Sequence, residues 1–275
     1  TIPLIFNERQ IPYTVIGGSQ KKRNNPLNIS AILLSTNGNF YKNFSLEILT
    51  KCNFTSIICV EKNNKTYILD DFVKKFPSVD FIIPQESVTI GDMINIAISN
   101  VKTDYVLVIR DNVKISTSLL NNTILSRITE KNKLCIVPML LTENNQNILM
   151  ENSPSIQKNR LKIDSSSLIR EDTKTIYPFD FIGVYNVQKF IQCGGFDYTI
   201  TSPYWQNVDF FMRAWLWGES CVIMPSLRMI YEGDIPVEDS TINNSYLRFF
   251  LKNVSPQIKT TYAYIPIKSF FPYLI

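Results

Sequence analysis

Four short, continuous apolar runs punctuate the first 110 residues: Ile29–Leu34 (ISAILL), Ile57–Val60 (IICV), Phe81–Pro84 (FIIP) and Tyr105–Ile109 (YVLVI). Each is strand-length and lacks the alternation of a half-exposed strand. Between them, residues 40–51, Lys65–Phe76 and Gly91–Asn100 have helical spacing, and the last places Met93, Ile94, Ala97 and Ile98 on one face. Buried strands alternating with helices predict a parallel sheet covered by helices on both faces, with right-handed crossovers. Ahead of this unit, residues 1–18 read as a strand or arm ending at Gly17-Gly18.

The rhythm changes after Ser116. A helix over Leu119–Lys131 and a strand over Leu134–Leu140 are followed by a polar stretch, 142–177, that reads as an insertion or cover. Phe179–Val184, Cys221–Met224 and Leu227–Tyr231 read as strands. Val187–Gln192, Asp209–Leu216 and residues 239–253 read as helices. The organisation expected is an arm and connector (1–26), one α/β domain (27–255) and an apolar tail (256–275). The tail would dock on the domain or on a second copy of the chain, giving a homo-oligomer.

Composition narrows the chemistry. The 275 residues are 45% hydrophobic and 19% charged, a balance that builds a core without staples. Histidine is absent, which excludes histidine triads and histidine–zinc sites. Acid–base work would fall to Asp, Glu, Tyr, Lys or Cys. The five cysteines show no C-x-x-C spacing and read as reduced core residues. A net charge of +4 gives no argument for nucleic acid, and Lys21-Lys22-Arg23 reads as a solvated connector. Neither a signal peptide nor an apolar run of membrane-spanning length is seen. The expected place is the cytoplasm, with a peripheral position at the inner face of a membrane as the alternative.

Open parallel sheets bind ligands at the carboxyl ends of their strands, where strand order reverses. That selects Ser35-Thr36-Asn37-Gly38, Glu61, the helix start Thr89-Ile90-Gly91-Asp92, and Arg110-Asp111-Asn112. Further on stand the turn Gly194-Gly195-Phe196-Asp197 and the segment YWQNVDFFMRAWLWG, with Asp209 and Arg213 four residues apart on one helix face. In this order, over roughly residues 27–235, the sequence resembles the family-two glycosyltransferases.

The resemblance implies a GT-A-type, Rossmann-like three-layer sandwich with a mixed, mostly parallel central sheet. It implies a nucleotide-diphosphate sugar as donor, a glycan, lipid-linked or protein acceptor, and bacterial polysaccharide synthesis as the setting. Thr36, Glu61, Asp92, Arg110 and Asp111 would contact the donor. Asp111 and Asn112 would hold a divalent cation, Mg²⁺ or Mn²⁺, if one is used.

Two positions depart from the family pattern. Its DXD motif has acids at both ends, and here the ends are Arg110 and Asn112. Arg110 would then either bind the diphosphate through its guanidinium or form a strand-end ion pair. The family's acid pair reads Gln206-Asn207, leaving Asp209 as the candidate catalytic base or, alternatively, the ion-pair partner of Arg213. Trp205 is a candidate sugar platform, whereas Trp215 and Trp217 read as packing residues. Glu238-Asp239 reads as a helix N-cap, with a late loop carboxylate near the diphosphate as the alternative. Two functions follow: an inverting glycosyltransferase, or a catalytically silent relative acting as a binding or assembly subunit.

Overall fold

The computed structural model describes residues 9–19, 26–62, 69–157, 160–166 and 170–269. The connector Lys21-Lys22-Arg23 and residues 270–275 of the tail lie outside them. The first half folds as β1 (Tyr13–Gly17), β2 (Ile29–Ser35), α1 (Asn39–Leu49), β3 (Ile57–Glu61), α2 (Leu69–Lys75), β4 (Val79–Pro84), α3 (Ile90–Ser99) and β5 (Tyr105–Arg110). The four apolar runs are neighbouring parallel strands in the order β4-β3-β2-β5, and β2 and β3 are buried at every position. A strand that touches packed atoms on both faces has no use for alternating polar residues, hence the continuous runs.

The second half contributes β6 (Val113–Lys114), α4 (Asn122–Lys131), β7 (Cys135–Thr142), β8 (Glu151–Gln157), β9 (Arg160–Ser166), β10 (Lys174–Thr175), β11 (Gly183–Asn186), α5 (Val187–Gln192), α6 (Pro203–Leu216), β12 (Cys221–Tyr231) and α7 (Asn244–Phe249). The main sheet has ten strands, in the order β1-β4-β3-β2-β5-β11-β7-β12-β10, with β6 paired to β12. β11 is antiparallel to both β5 and β7, and β12 is parallel to β7. This is the mixed α/β sheet that the resemblance implies. The arm is a strand of the sheet, since β1 closes its edge antiparallel to β4.

Three local expectations change. Cys221–Met224 and Leu227–Tyr231 are one strand whose register shifts between Met224 and Arg228, because Pro225 cannot donate to the ladder. The polar stretch 142–177 holds the hairpin β8–β9, a separate two-stranded sheet. The last helix starts at Asn244, capped by the Asn243 side chain, and widens into a π turn over Phe250–Val254. Glu238 and Asp239 therefore cap no helix. The tail residues 257–264 pair as a small exposed hairpin. Among the described residues, no helix is long and apolar enough to cross a membrane.

Helix α3 joins the two halves. Thr89 and Asp92 cap it reciprocally, it packs on β2 and β3, and α6 packs on it. The approach is closest at Gly91, where a Cβ would stand 2.6 Å from both Gln206 Cδ and Phe196 Cβ. Gly91→Ala must therefore push α3 and α6 apart. We expect a loss of about 1–3 kcal/mol of unfolding free energy, the usual cost of overpacking, measured by urea denaturation. An unchanged midpoint would show that the helices are not packed this closely.

Candidate functional site

Chain order reverses between β2 and β5: β3 and β4 extend the sheet to one side of β2, and β5 returns on the other. In open α/β sheets such a reversal, at the carboxyl ends of the strands, is where a ligand crevice lies. Thr36 follows β2, and Arg110 ends β5 with Asp111 and Asn112 after it. Asp111 is buried, and its carboxylate accepts from Thr36 N (2.9 Å), Asn37 N (2.9 Å) and Asn37 Nδ2 (2.7 Å). Its own carbonyl accepts from Ser45 Oγ at 2.7 Å. Asn112 Oδ1 accepts from Asn37 Nδ2, while its amide nitrogen donates to the Glu232 carbonyl. These two residues clamp the β2–α1 loop onto the end of β5.

Arg110 is placed differently. Its Nε lies 3.3 Å from Asp180 Oδ2, an ion pair without hydrogen-bond geometry. Neither Nε nor Nη1 has a hydrogen-bond partner, and the same holds for the buried Thr36 Oγ1. Buried donors left open in this way mark a place where something else accepts. Asp180 Oδ2 also accepts from Tyr231 OH at 2.8 Å. Burial pushes the Asp180 carboxyl above its ordinary range, with Arg110 and Tyr231 opposing. Asp180 (φ 47°, ψ 34°) and Phe181 (φ 64°) are consecutive left-handed residues, each costing roughly 1–3 kcal/mol. Neighbours hold the turn, since Asn207 Nδ2 donates to the Pro178 carbonyl and Tyr185 OH to that of Phe181, both at 2.8 Å.

The same turn carries Tyr177, whose hydroxyl donates to Glu238 Oε2 at 2.8 Å. Burial pushes the Glu238 carboxyl upward, and the charge of Asp180 adds to it against the Tyr177 hydrogen bond. Tyr204 stands edge-on to Tyr177, its phenol pushed up to about 12 by burial and by Glu238. Sequence reasoning missed Asp180 altogether. A lone Asp between aromatic residues carries no motif, and only the pairing of β11 with β5 brings it to Arg110.

Several expected site residues lie elsewhere. Asp209 is fully buried and accepts from Lys252 Nζ (2.8 Å) and Asn253 Nδ2 (2.6 Å), with Arg213 Nη2 at 3.5 Å. Enclosed in this way, it is out of reach of an acceptor hydroxyl, which removes it as the base. Arg213 also donates to the carbonyls of Cys193 and Gly195. Gln206 bridges Gly91 N, Thr89 Oγ1 and the Asp197 carbonyl. Trp205 is no sugar platform: it is buried, packs against Tyr246 and Phe249, and donates to the Thr241 carbonyl. Trp215 and Trp217 are not core residues, being 55% and 54% exposed.

Asp92 is taken up by the α3 capping box. It faces Arg9 at 3.7 Å in a cavity of about 500 Å³ also lined by Tyr13, Asn95 and Tyr198, apart from the Arg110 cluster. Glu61 ends β3 and lies at the same edge as Asp111, but its Oε1 is held by the buried Lys42 at 3.0 Å. The expected cation site at Asp111 and Asn112 does not fit a metal. The Asp111 oxygens already accept from amides, the Asn112 oxygen from Asn37, and Arg110 stands where a second carboxylate is needed. Among the described residues no group of three or more His, Cys, Asp or Glu side chains is arranged to hold a metal ion.

A buried guanidinium without hydrogen-bond partners on Nε and Nη1 therefore stands at the point where strand order reverses in this sheet. No family model matches the sequence, nor does any curated protein. Among solved structures, Staphylococcus aureus TarS matches with a TM-score of 0.54 and 14% identity, over 74% of this chain and 36% of that one. A TarS fragment in complex with UDP-GlcNAc matches with a TM-score of 0.58 and 14% identity, over 82% and 64%. GalNAc-T7 with UDP, GalNAc and Mn²⁺ gives 0.59 and 11%, over 80% and 47%. These neighbours are GT-A-type glycosyltransferases, and the chain shares their fold. It spans only 36% to 64% of their lengths.

The ion network behind α6 generates a prediction. Lys252 Nζ lies 2.8 Å from both Asp197 Oδ2 and Asp209 Oδ2. Burial opposes the Asp197 charge, but Lys252 and the Thr199 hydroxyl and amide overcome it and hold the carboxyl well below its ordinary range. A depressed folded-state pKa gives stability that is complete above the unfolded value, near pH 4, and lost as pH falls below it. Lys252→Met removes the cation that two buried carboxylates share and leaves each only its longer contact, Asp209 with Arg213 at 3.5 Å and Asp197 with Arg248 at 3.3 Å. It should cost up to about 3 kcal/mol at pH 7 and flatten the fall in stability below pH 4, measured by urea denaturation across pH. A variant matching the parent at both pH values would show that the network is idle.

Proposed function

We propose that the chain transfers a glycosyl unit, with inversion, from a nucleotide-diphosphate sugar to a hydroxyl of a glycan, a lipid-linked glycan or a protein. The observation that carries this reading is Arg110, whose open, buried N–H donors lie at the strand-order switch of the sheet. A guanidinium presents forked donors to phosphate oxygens and keeps its charge at every working pH. In this chain it takes the place of a metal in neutralising the diphosphate as the bond to the sugar breaks. Thr36 Oγ1 offers a further contact at the same edge, and the Asp111 clamp holds its loop in place. Asp180 and Tyr231 orient the guanidinium. The UDP-GlcNAc complex of TarS and the UDP complex of GalNAc-T7 support a uridine diphosphate donor as the first to try.

The silent-relative reading has its own support. The acid-pair positions are the amides Gln206 and Asn207, both tied to backbone carbonyls, and Asp209 is locked. A carboxylate could not donate the bond that Asn207 gives Pro178, so these positions serve structure here.

One experiment addresses both readings. At hundredfold excess over Kd, UDP should raise the melting temperature by roughly 5–10 °C, and equally in Mn²⁺ and in EDTA. Arg110→Ala should abolish the shift while folding normally. A shift that requires Mn²⁺ would overturn the metal-independent reading. UDP binding without release of UDP from any UDP-sugar would favour the silent relative.

A further inference from the structure

Among the described residues at or behind the crevice, the carboxylates of Asp111, Asp209, Asp197, Glu61 and Asp180 are paired with a cation or saturated by donors. Asp111 accepts from two backbone amides and Asn37. Asp209 and Asp197 share Lys252, Glu61 is bound to Lys42, and Asp180 is ion-paired with Arg110. Glu238 is the exception: its hydrogen-bond partner is the neutral hydroxyl of Tyr177. A carboxylate already engaged by a cation or by several donors is committed to those partners, whereas one fixed by a single phenol keeps an oxygen free.

The segment carrying Glu238 crosses the same site. It leaves β12 beside Asn112, where Glu232 N donates to the Asn112 carbonyl, and it reaches Trp205 at Thr241. Glu238 is half-buried, so a substrate can reach it. It meets the turn that holds Asp180 three residues after Tyr177.

Building on the transferase reading above, we propose that Glu238 is the proton acceptor of the transfer, with Tyr177 as its positioning residue. The acceptor hydroxyl oxygen attacks the anomeric carbon. The bond from that carbon to the diphosphate oxygen breaks, and its electron pair leaves with the nucleoside diphosphate beside Arg110. The hydroxyl proton passes to the free oxygen of Glu238, which later returns it to water. The groups that face Glu238 are Tyr177, Tyr204 and, through its charge, Asp180. Burial makes its carboxyl a better proton acceptor than a surface glutamate.

The test uses the full chain with UDP-GlcNAc and UDP-GalNAc, water as acceptor, and UDP release as the readout. Glu238→Gln should lower kcat by roughly 10²–10⁴-fold and leave the UDP-induced melting shift unchanged. Asp234→Asn, an exposed carboxylate of the same loop, should stay within about twofold of the parent. Tyr177→Phe removes the hydrogen bond that lowers the Glu238 pKa, so the acid limb of the kcat profile should move to higher pH. This variant also decides the matter should Glu238→Gln not fold. Full turnover by Glu238→Gln, or an unmoved acid limb in Tyr177→Phe, overturns the assignment. Loss of the UDP shift in Glu238→Gln overturns it too, since the residue would then serve donor binding. If the parent binds UDP but releases none from either sugar, the transferase reading fails, and the base with it.

Discussion

The carboxylate of Asp111 is the contact on which the crevice depends. A buried charge is tolerated only when its oxygens are satisfied, and here the satisfying donors are the backbone amides and side chain of the next strand's loop. The two partners are about 75 residues apart in the chain and adjacent in space. Binding them fixes the β2–α1 loop, sets Thr36 at the edge of β2, and leaves Arg110, one residue earlier, with buried N–H donors that have no hydrogen-bond partner. A position that the resemblance would assign to a ligand is here devoted to architecture.

The same substitution of structure for chemistry runs along α6. Gln206, Asn207, Asp209 and Arg213 are all buried, and each reaches a backbone carbonyl, a helix N-terminus or an ion pair. Together with Asn95, which exchanges two hydrogen bonds with Phe196, they tie the Gly-Gly-Phe-Asp turn to α3. The segment that most specifically marks the fold is therefore a polar knot in this chain. Two atoms of this knot, Asn207 Oδ1 and Arg213 Nε, are buried without a hydrogen-bond partner. Asp180 sits at the opposite extreme, in strained backbone with one carboxylate oxygen fixed, the condition expected of a residue whose geometry serves a ligand.

The parallel half of the fold was legible in the sequence because its cause is local. Strands buried on both faces are apolar at most positions, and the helices between them carry one apolar stripe, so β2 to β5 appear as runs that need no partner to be recognised. Absence of histidine and the Arg110 and Asn112 substitutions were equally visible, and with them the doubt over a metal. The β8–β9 hairpin and the single long β12 were not legible, because polar strands and a strand broken by proline carry no such signature.

The direction and partners of each acidic side chain were decided only by tertiary structure. Nothing in their sequence neighbourhoods tells the partners of Asp209 from those of Glu238. Lys252 and Asn253, more than forty residues beyond Asp209, enclose the first. Tyr177, sixty-one residues before Glu238, leaves the second with an uncharged partner. Proton affinity follows from burial and from the charges that folding brings close, and neither is a property of spacing along the chain. The sequence determined which strands are buried and where they end; packing alone determined which of the carboxylates there remains free to take a proton.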